Sequence, residues 1–511
     1  MFTALLLALL LLVVTWLVTT LVRNYATTRN LRRNLPSFNV LPSVPLLGSS
    51  HLFKDGTEPP EIFATSSGFH RRFGNDLIAQ SFLNQPSLQV TSPEVVEQII
   101  NTRTINKSQI YDFMKPWINE GLLTAVGKKW AQRRKIITPA FHFKILEEFL
   151  GTFNQQAEVL VDKLREQVGQ GDFNIYKYIT LCTLDVISET AMGVKINAQD
   201  NPDSSYVKAV KEMADLILRR LFSALREFRW LFPFLKMAKQ QKRLLNVLHS
   251  FTDSVIVTRK NQLENESAQL ITQKKLEESD IYGKRKLTLL DLLLNVSIDG
   301  HPLSNPDIRE EVDTFMAAGH DTTTSWLSFG AYHIARNPSV QQKLYDEMVQ
   351  VLGSDFKNTP LTYSMLQELK YLDMTIKEVL RIHPSVPVIG RMSARDMVID
   401  GPKLPPGIDV VVLIYAMHNN PEVFPEPDRF DPERFNEENS AKRHPYAYIP
   451  FSAGARNCIG QKYALLEAKT ILVKLLGSYR LLPCDPGNTV RIKSDITLRP
   501  VNGAFVKIVE R

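Results

Sequence analysis

The sequence predicts a mainly α protein: one large helical domain with a smaller β-rich subdomain, preceded by a single N-terminal transmembrane helix. Three observations predict it. Residues 2–22 carry no charge and are rich in Leu and Val. Helical patterns dominate from about residue 92 to residue 380, while strand-like runs gather at the two ends of the chain. The 511 residues are 44% hydrophobic, with no internal repeat and no Gly/Ser-rich linker, so one large core is the simplest arrangement.

The apolar run comes first. About 20 such residues span a bilayer as a helix. Arg23, Arg29, Arg32 and Arg33 follow at once, and by the positive-inside rule the bulk of the chain then faces the cytoplasm. A cleaved signal peptide would carry basic residues before a shorter apolar core. The expected division is an anchor over 1–22, a basic and proline-rich elbow over 23–50, and the main domain over 51–511. The elbow is stiffened by Pro36, Pro42 and Pro45. In this topology the sequons at Asn106, Asn265 and Asn295 stay unglycosylated.

Short strands are expected over 77–82 and 88–91. A long helix is capped by Asn305, has Pro306 in its first turn and stops at Asn337-Pro338. Its roughly 30 residues make ~45 Å, enough to cross the domain. A second helix covers 363–382 and stops before Pro384. The alternating stretch 397–413, broken by Pro402, Pro405, Pro406 and Gly407, reads as a hairpin. A third helix starts just after Cys458 and runs through Leu476. Residues 491–499 and 504–509 read as closing strands.

The net charge of +7 is spread along the chain, which argues against nucleic-acid binding and leaves acidic proteins and anionic lipid as partners. Cys182, Cys458 and Cys484 are too few and too scattered for a disulfide framework and fit a reducing compartment.

The most informative stretch is Phe451-Ser452-Ala453-Gly454-Ala455-Arg456-Asn457-Cys458-Ile459-Gly460. It is a loop with two glycines leading into a helix. The helix dipole and Arg456 are expected to stabilise a Cys458 thiolate. Such a cysteine can be a metal ligand, a nucleophile or an inert thiol. Three other constellations stand out. Glu378 and Arg381, at i, i+3, share a helix face. Ala318-Gly319-His320-Asp321-Thr322-Thr323 puts a glycine and two threonines inside the long helix, where Thr hydroxyls can bond back to i−4 carbonyls and bend it. Trp130 and Arg134 share a helical face, with Lys128, Lys129, Arg133 and Lys135 around them. Each has an ordinary structural reading: a surface ion pair, a tolerated kink, a half-buried pair.

The loop F-x-x-G-x-R-x-C-x-G closely resembles the haem-binding loop of the cytochromes P450, and the other motifs follow in that family's order. Within it, the wording of 311–316, 137–143 and 384–391 is similar to the family-4 clan of animals, insects especially. The resemblance implies a haem-thiolate monooxygenase that inserts one oxygen atom from dioxygen into a hydrophobic small molecule: a fatty acid, hormone or xenobiotic. It implies haem b with Cys458 as axial iron ligand, and Trp130, Arg134, Arg391 and Arg456 around the cofactor. Thr322 and Asp321 are implied as the hydrogen-bonding and proton-relay pair, and Glu378, Arg381 and Arg434 as a structural triad. His320 is expected only to find a hydrogen bond. The position just before the helix glycine, often a Glu esterified to haem in this clan, is Ala318 here, so no ester can form and Cys458 is left as the only covalent link.

No nucleotide-binding fingerprint or flavin domain is visible, so electrons are expected from a separate NADPH–cytochrome P450 reductase, with cytochrome b5 a further partner. The basic cluster around Lys128 is the expected docking face. The expected state is a single-pass monomer in the endoplasmic reticulum membrane. The basic, aromatic stretch 218–236, with Phe222, Phe228, Trp230, Phe232 and Phe234, is either an ordinary amphipathic helix or a further membrane contact. Two rivals remain: a haem-thiolate enzyme that only rearranges peroxides, against which Asp321 and Thr322 argue, and a tethered helical binding protein without haem.

Overall fold

The computed structural model describes residues 2–53, 59–102, 105–223, 229–274, 288–298, 300–393, 397–399 and 403–511. Helix α1 (Phe2–Asn34) is continuous. Leu5, Leu9, Leu12 and Trp16 stand exposed on it, and it is the one helix among the described residues long and apolar enough to cross a membrane. Its last turns belong to the main body. The Asn24 amide donates to the Leu83 carbonyl (2.8 Å), the Gln80 amide donates to the Thr28 hydroxyl (3.0 Å), and Leu31 is fully buried. These residues lie at i, i+4 and i+7, on one helix face. The basic half of the expected elbow is therefore helix, and the chain leaves the helical path only at Leu35-Pro36.

A six-stranded sheet follows, built from β1 (Asn39–Val40), β2 (Leu77–Gln80), β3 (Pro86–Val90), β4 (Ile105–Lys107), β5 (Ile389–Ser393) and β6 (Asp409–Val412), in the order β1-β2-β3-β6-β5-β4. In β3 and β6 the period of two decides the two faces. Leu88, Val90, Val410 and Val412 pack into a core with Leu31 and Leu35, while Ser87, Gln89 and Val411 line a cavity. The expected 397–413 hairpin is present as Met397–Val398 paired antiparallel with Lys403–Leu404, with Pro402 outside the described residues. The expected strand over 491–499 is two: β7 (Ile492–Ser494) and β8 (Leu498–Pro500) pair antiparallel, with the turn between them. Phe505–Glu510 pairs with Tyr479–Pro483 and Phe173–Asn174.

The main core is helical. It is built from α2 (Gly127–Ile137), α3 (Phe143–Leu164), α4 (Ile175–Thr190), α5 (Ser205–Phe222), α6 (Asn305–Arg336), α7 (Lys370–Ile382) and α8 (Gln461–Ser478). The long helix α6 is capped by Ser304, one residue before the expected Asn305: its hydroxyl accepts the Asp307 N–H at 3.2 Å. A Cβ at Gly319 would lie 2.6 Å from Ile187 of α4, so the glycine lets the two helices meet. The expected helix 363–382 is broken at buried Leu369 into Tyr363–Glu368 and α7. The cause is a distant carboxylate: Glu347 accepts the N–H groups of Tyr371 (2.6 Å) and Leu372 (2.9 Å), capping a new helix start.

Burial holds His333, His383 and His418 below their ordinary value and makes the fold acid-labile; His418 shows the cause most clearly. His418 is fully buried, and its Nε2 accepts the Ile449 N–H at 3.0 Å, so that nitrogen has no room for a proton. Burial pushes the imidazole down to about 3. The unfolded chain, with an ordinary value near 6.5, binds a proton where the folded chain does not. Stability from this group is complete above pH ~6.5 and falls as pH drops, by about 2 kcal/mol at pH 5. His418→Gln is expected to flatten the slope of Tm against pH between 7 and 5. An unchanged slope would show that other groups carry the acid sensitivity.

Candidate active site

A cavity of about 700 Å³ lies between the six-stranded sheet, the middle of α6 and the loop before α8. The loop is shaped by backbone demands. Ser452 and Gly454 have φ of 58° and 65°, and a Cβ on Gly454 would sit 2.8 Å from the Ile100 side chain. The Cys458 N–H donates to the Phe451 carbonyl at 2.9 Å, and the Cys458 side chain is exposed only to the cavity it lines. Burial pushes its thiol up, opposed by the Gly460 N–H and by Arg134.

That corrects the expectation of a thiolate favoured by Arg456 and the helix dipole. Helix α8 begins at Gln461, beyond Cys458. Arg456 turns aside: it donates to the Ala125 carbonyl at 2.8 Å and lies over the Trp130 ring at 3.9 Å. Arg134 of α2 is the cation facing the sulfur, and it donates to Asn457 O and Oδ1, both at 2.8 Å.

Four cations line this end of the cavity: Lys107, Arg134, Arg391 and Arg456. Lys107 of β4 stands directly opposite Arg391 of β5 in the antiparallel register. Like charges so placed repel. No carboxylate among the described residues forms an ion pair with any of the four; Lys107 meets the Tyr111 ring and Arg391 the Gly390 carbonyl. Burial and the two neighbouring arginines push Lys107 well below its usual range. A buried cationic cluster without an anion is a site for a ligand with carboxylates. Lys107 was not read from the sequence, since only the sheet register brings it to Arg391.

The facing wall is α6. Ala318, Asp321 and Thr322 line the cavity. Thr314, Thr322 and Thr323 each donate back to their i−4 carbonyl, at 2.7, 2.7 and 3.1 Å, and the helix stays unbroken. The Ser385 hydroxyl donates to the Thr322 carbonyl at 2.9 Å. Burial would lift the Asp321 carboxyl, but Arg499 outweighs it: its guanidinium donates at 2.8 Å, the Thr497 hydroxyl donates at 2.5 Å, and the group stays below the usual carboxylate range. Arg499 and Thr497, on the late β7–β8 unit, were not foreseen. His320 is buried and bonded to the Met316 carbonyl at 2.8 Å, as expected.

Away from the cavity, Glu378, Arg381 and Arg434 come together. Arg381 donates to both Glu378 oxygens at 2.7 and 2.9 Å, and Arg434 Nε lies 3.5 Å from Glu378. The basic cluster around Lys128 is smaller than expected. Arg133 is buried and paired with Asp307, Glu310 and Glu311 of α6, and Lys129 is 2.6 Å from Glu310. Lys128 and Lys135 remain exposed. In the 218–236 stretch Phe222, Trp230 and Phe234 are exposed, while Arg226 and Phe228 lie outside the described residues.

The model of the family Cytochrome P450 matches residues 40–506. The chain belongs to the cytochrome P450 family. It is 43% identical over 473 residues to cytochrome P450 4d2 of Drosophila melanogaster, covering 92% of this chain and 93% of the relative. Cytochrome P450 4V2 of Mus musculus is 42% identical over 500 residues, 96% of this chain and 92% of the relative. A cytochrome P450 is a haem monooxygenase, an oxidoreductase that binds haem b through a cysteine–iron bond, works with a redox partner and takes a hydrophobic substrate. The cavity fits that cofactor: one cysteine faces in, and the cations, without a carboxylate partner among the described residues, match a ligand with two carboxylates.

Proposed function

We propose that this cytochrome P450 is a membrane-anchored monooxygenase acting on a hydrophobic small molecule, with Cys458 as the axial ligand of haem iron. The observation that carries the reading is that one cavity is lined together by Cys458, by four cations that pair with no carboxylate among the described residues, and by the Ala318–Thr322 turn of α6. Lys107, Arg134, Arg391 and Arg456 would hold the propionates, and Trp130 would hold Arg456 in place by its ring. The haem supplies dioxygen binding and O–O cleavage.

The chain's own residues do the rest. Thr322 Oγ1 donates a hydrogen bond to the Ala318 carbonyl at rest, which leaves its lone pairs free to accept a hydrogen bond and pass on a proton. Asp321, one residue before it, holds or yields a proton according to its contact with Arg499. Apolar side chains such as Phe63, Ile110, Trp117 and Leu221 exclude water from the remaining volume and suit a fatty acid, hormone or xenobiotic.

Residues 1–22 are the single-pass anchor in the endoplasmic reticulum membrane, and the domain faces the cytoplasm. Exposed Trp230 and Phe234, beside the channel-lining end of α5, give the body a second lipid contact. Electrons come from NADPH by way of a separate reductase, with cytochrome b5 as an accessory donor. Their acidic faces meet Lys128 and Lys135 on α2. Ala318 excludes an ester to the haem.

The test is spectroscopic. Purified full-length protein, reduced and treated with carbon monoxide, is expected to show the strongly red-shifted Soret band of thiolate-ligated haem. With reductase and labelled dioxygen it is expected to place one labelled oxygen atom in the product. A haem protein with an unshifted band, or no haem in folded protein, overturns the reading.

A further inference from the structure

Asp321 is the inner end of a chain of alternating charges. Arg499 of β8 donates to Asp321 at 2.8 Å, and the same guanidinium lies 3.8 Å from Asp495. Lys493 of β7 lies 3.0 Å from Asp495 and 2.5 Å from Asp215 of α5. The side chains of Asp321, Arg499 and Asp495 are 9%, 4% and 0% exposed, while those of Lys493 and Asp215 reach 19% and 37%. The chain thus leads from the wall that carries Thr322 to solvent. Its members belong to three separate parts of the sequence.

The inner section holds two carboxyl groups and one shared guanidinium. They are not equivalent. Asp321 receives hydrogen bonds from Arg499 and Thr497. The Asp495 side chain is fully buried, and among the described residues its carboxylate meets only the Lys493 ammonium at 3.0 Å and, more distantly, the Arg499 guanidinium at 3.8 Å. A buried carboxylate left so is costly, and a proton relieves it. With Asp495 neutral, Arg499 has one inner anion to hold, Asp321, which is the arrangement observed. With Asp495 ionised, Arg499 is drawn toward it and Asp321 is released to take up a proton.

We propose that Asp321 and Asp495 share one proton and one guanidinium, and that Asp495 is the reservoir from which Asp321 is loaded. The inference rests on the reading of Asp321 as a proton relay. In the loading step an O–H bond at Asp495 breaks and one at Asp321 forms. Arg499 stays protonated and moves its hydrogen bonds from Asp321 to Asp495, so the net charge of the three groups is unchanged. Solvent refills Asp495 past Lys493 and Asp215. The titratable and charged groups that face this section are Tyr176 of α4, Tyr206, Lys211 and Asp215 of α5, His320 of α6, Lys493 and Arg499. Burial outweighs the nearby cations and lifts the Asp495 carboxyl to about 6, so it changes charge near neutral pH. The two sites titrate as a pair.

The variant Asp495→Asn tests this in the full-length haem protein. In the resting wild type, infrared difference spectra across a pH titration are expected to show a protonated-carboxyl band that shifts in heavy water and disappears with a midpoint of about 6. Asp495→Asn is expected to lose the band. Its turnover is expected to fall about a hundredfold, with peroxide released in place of product and a larger solvent isotope effect, while the reduced carbon-monoxide Soret band and the substrate-induced spin shift stay as in wild type. Asp495→Glu is expected to keep band and turnover. Should Asp495→Asn fail to accumulate, Lys493→Met is the second arm: loss of that cation is expected to move the band's midpoint to higher pH. A band that persists in Asp495→Asn, wild-type turnover and coupling in that variant, or an unmoved midpoint in Lys493→Met overturns the inference. A wild type without the red-shifted Soret band instead overturns the haem-thiolate reading.

Discussion

Cys458→Ser is expected to abolish the red-shifted Soret band and all oxygen insertion, while leaving a chain that folds. The cysteine lines the cavity, and no helix packing depends on its side chain; the backbone contact that fixes its place, from its N–H to Phe451, survives the change. What is lost is a thiolate. A serine hydroxyl does not ionise at neutral pH, so the iron would lose its anionic soft ligand. The other two cysteines provide controls. Cys182 is fully buried, donates to the Gln156 carbonyl at 3.5 Å and is pushed well up by burial; Cys484 is buried beside the Asn488 carbonyl. Alanine at either is expected to leave the band in place. A Cys458→Ser protein that keeps the band would remove this cysteine from the site. Burial raises the Cys458 thiol, so binding of iron there displaces a proton, and haem uptake is expected to release one.

Cys458 and its loop were legible because their information is local: a glycine where φ is positive, a cysteine that faces a cavity and a helix start lie within ten residues. The pair Glu378 and Arg381 was legible for the same reason, being one helical turn apart. What failed to show in the sequence depends on partners far along the chain. Glu347 splits the helix that 363–382 promises. Arg133 reads as part of an exposed basic cluster until Asp307, Glu310 and Glu311 of α6 take it up. Lys107 carries no local signal until β4 pairs with β5. Arg499 sits in a stretch that reads as one closing strand, and only the turn between β7 and β8 carries it to Asp321. Charged residues in particular have no fixed meaning in a sequence, because whether a cation is solvated, paired or left waiting for a ligand is decided by long-range packing.

The triad shows the same point energetically, and its disruption is the second large effect expected. Glu378 and Arg381 are both 0% exposed, and Glu378 also accepts the Asp431 N–H at 3.0 Å. Burial pushes the Glu378 carboxyl up in spite of two arginines, so desolvation costs more than the pairing returns. The pair is therefore better understood as fixing a position than as adding stability. Arg381 donates to the carbonyls of His418 (3.1 Å) and Pro427 (2.7 Å). The His418 ring takes the Ile449 N–H, and Ile449 lies two residues before Phe451, the residue that holds the Cys458 N–H. Breaking the pair should loosen the cysteine loop from behind. Glu378→Gln leaves Arg381 buried without a counter-charge and is expected to cost about 3–5 kcal/mol, seen as a large fall in Tm and in haem content. Replacing both partners by apolar residues, Glu378→Leu with Arg381→Met, removes the stranded charge as well as the anchor. The double variant is expected to recover much of the lost Tm but little of the haem content. If stability and haem content recover together, the pair is a packing element and not a positioning device; if Glu378→Gln alters neither, the buried charges are already compensated by the surrounding carbonyls.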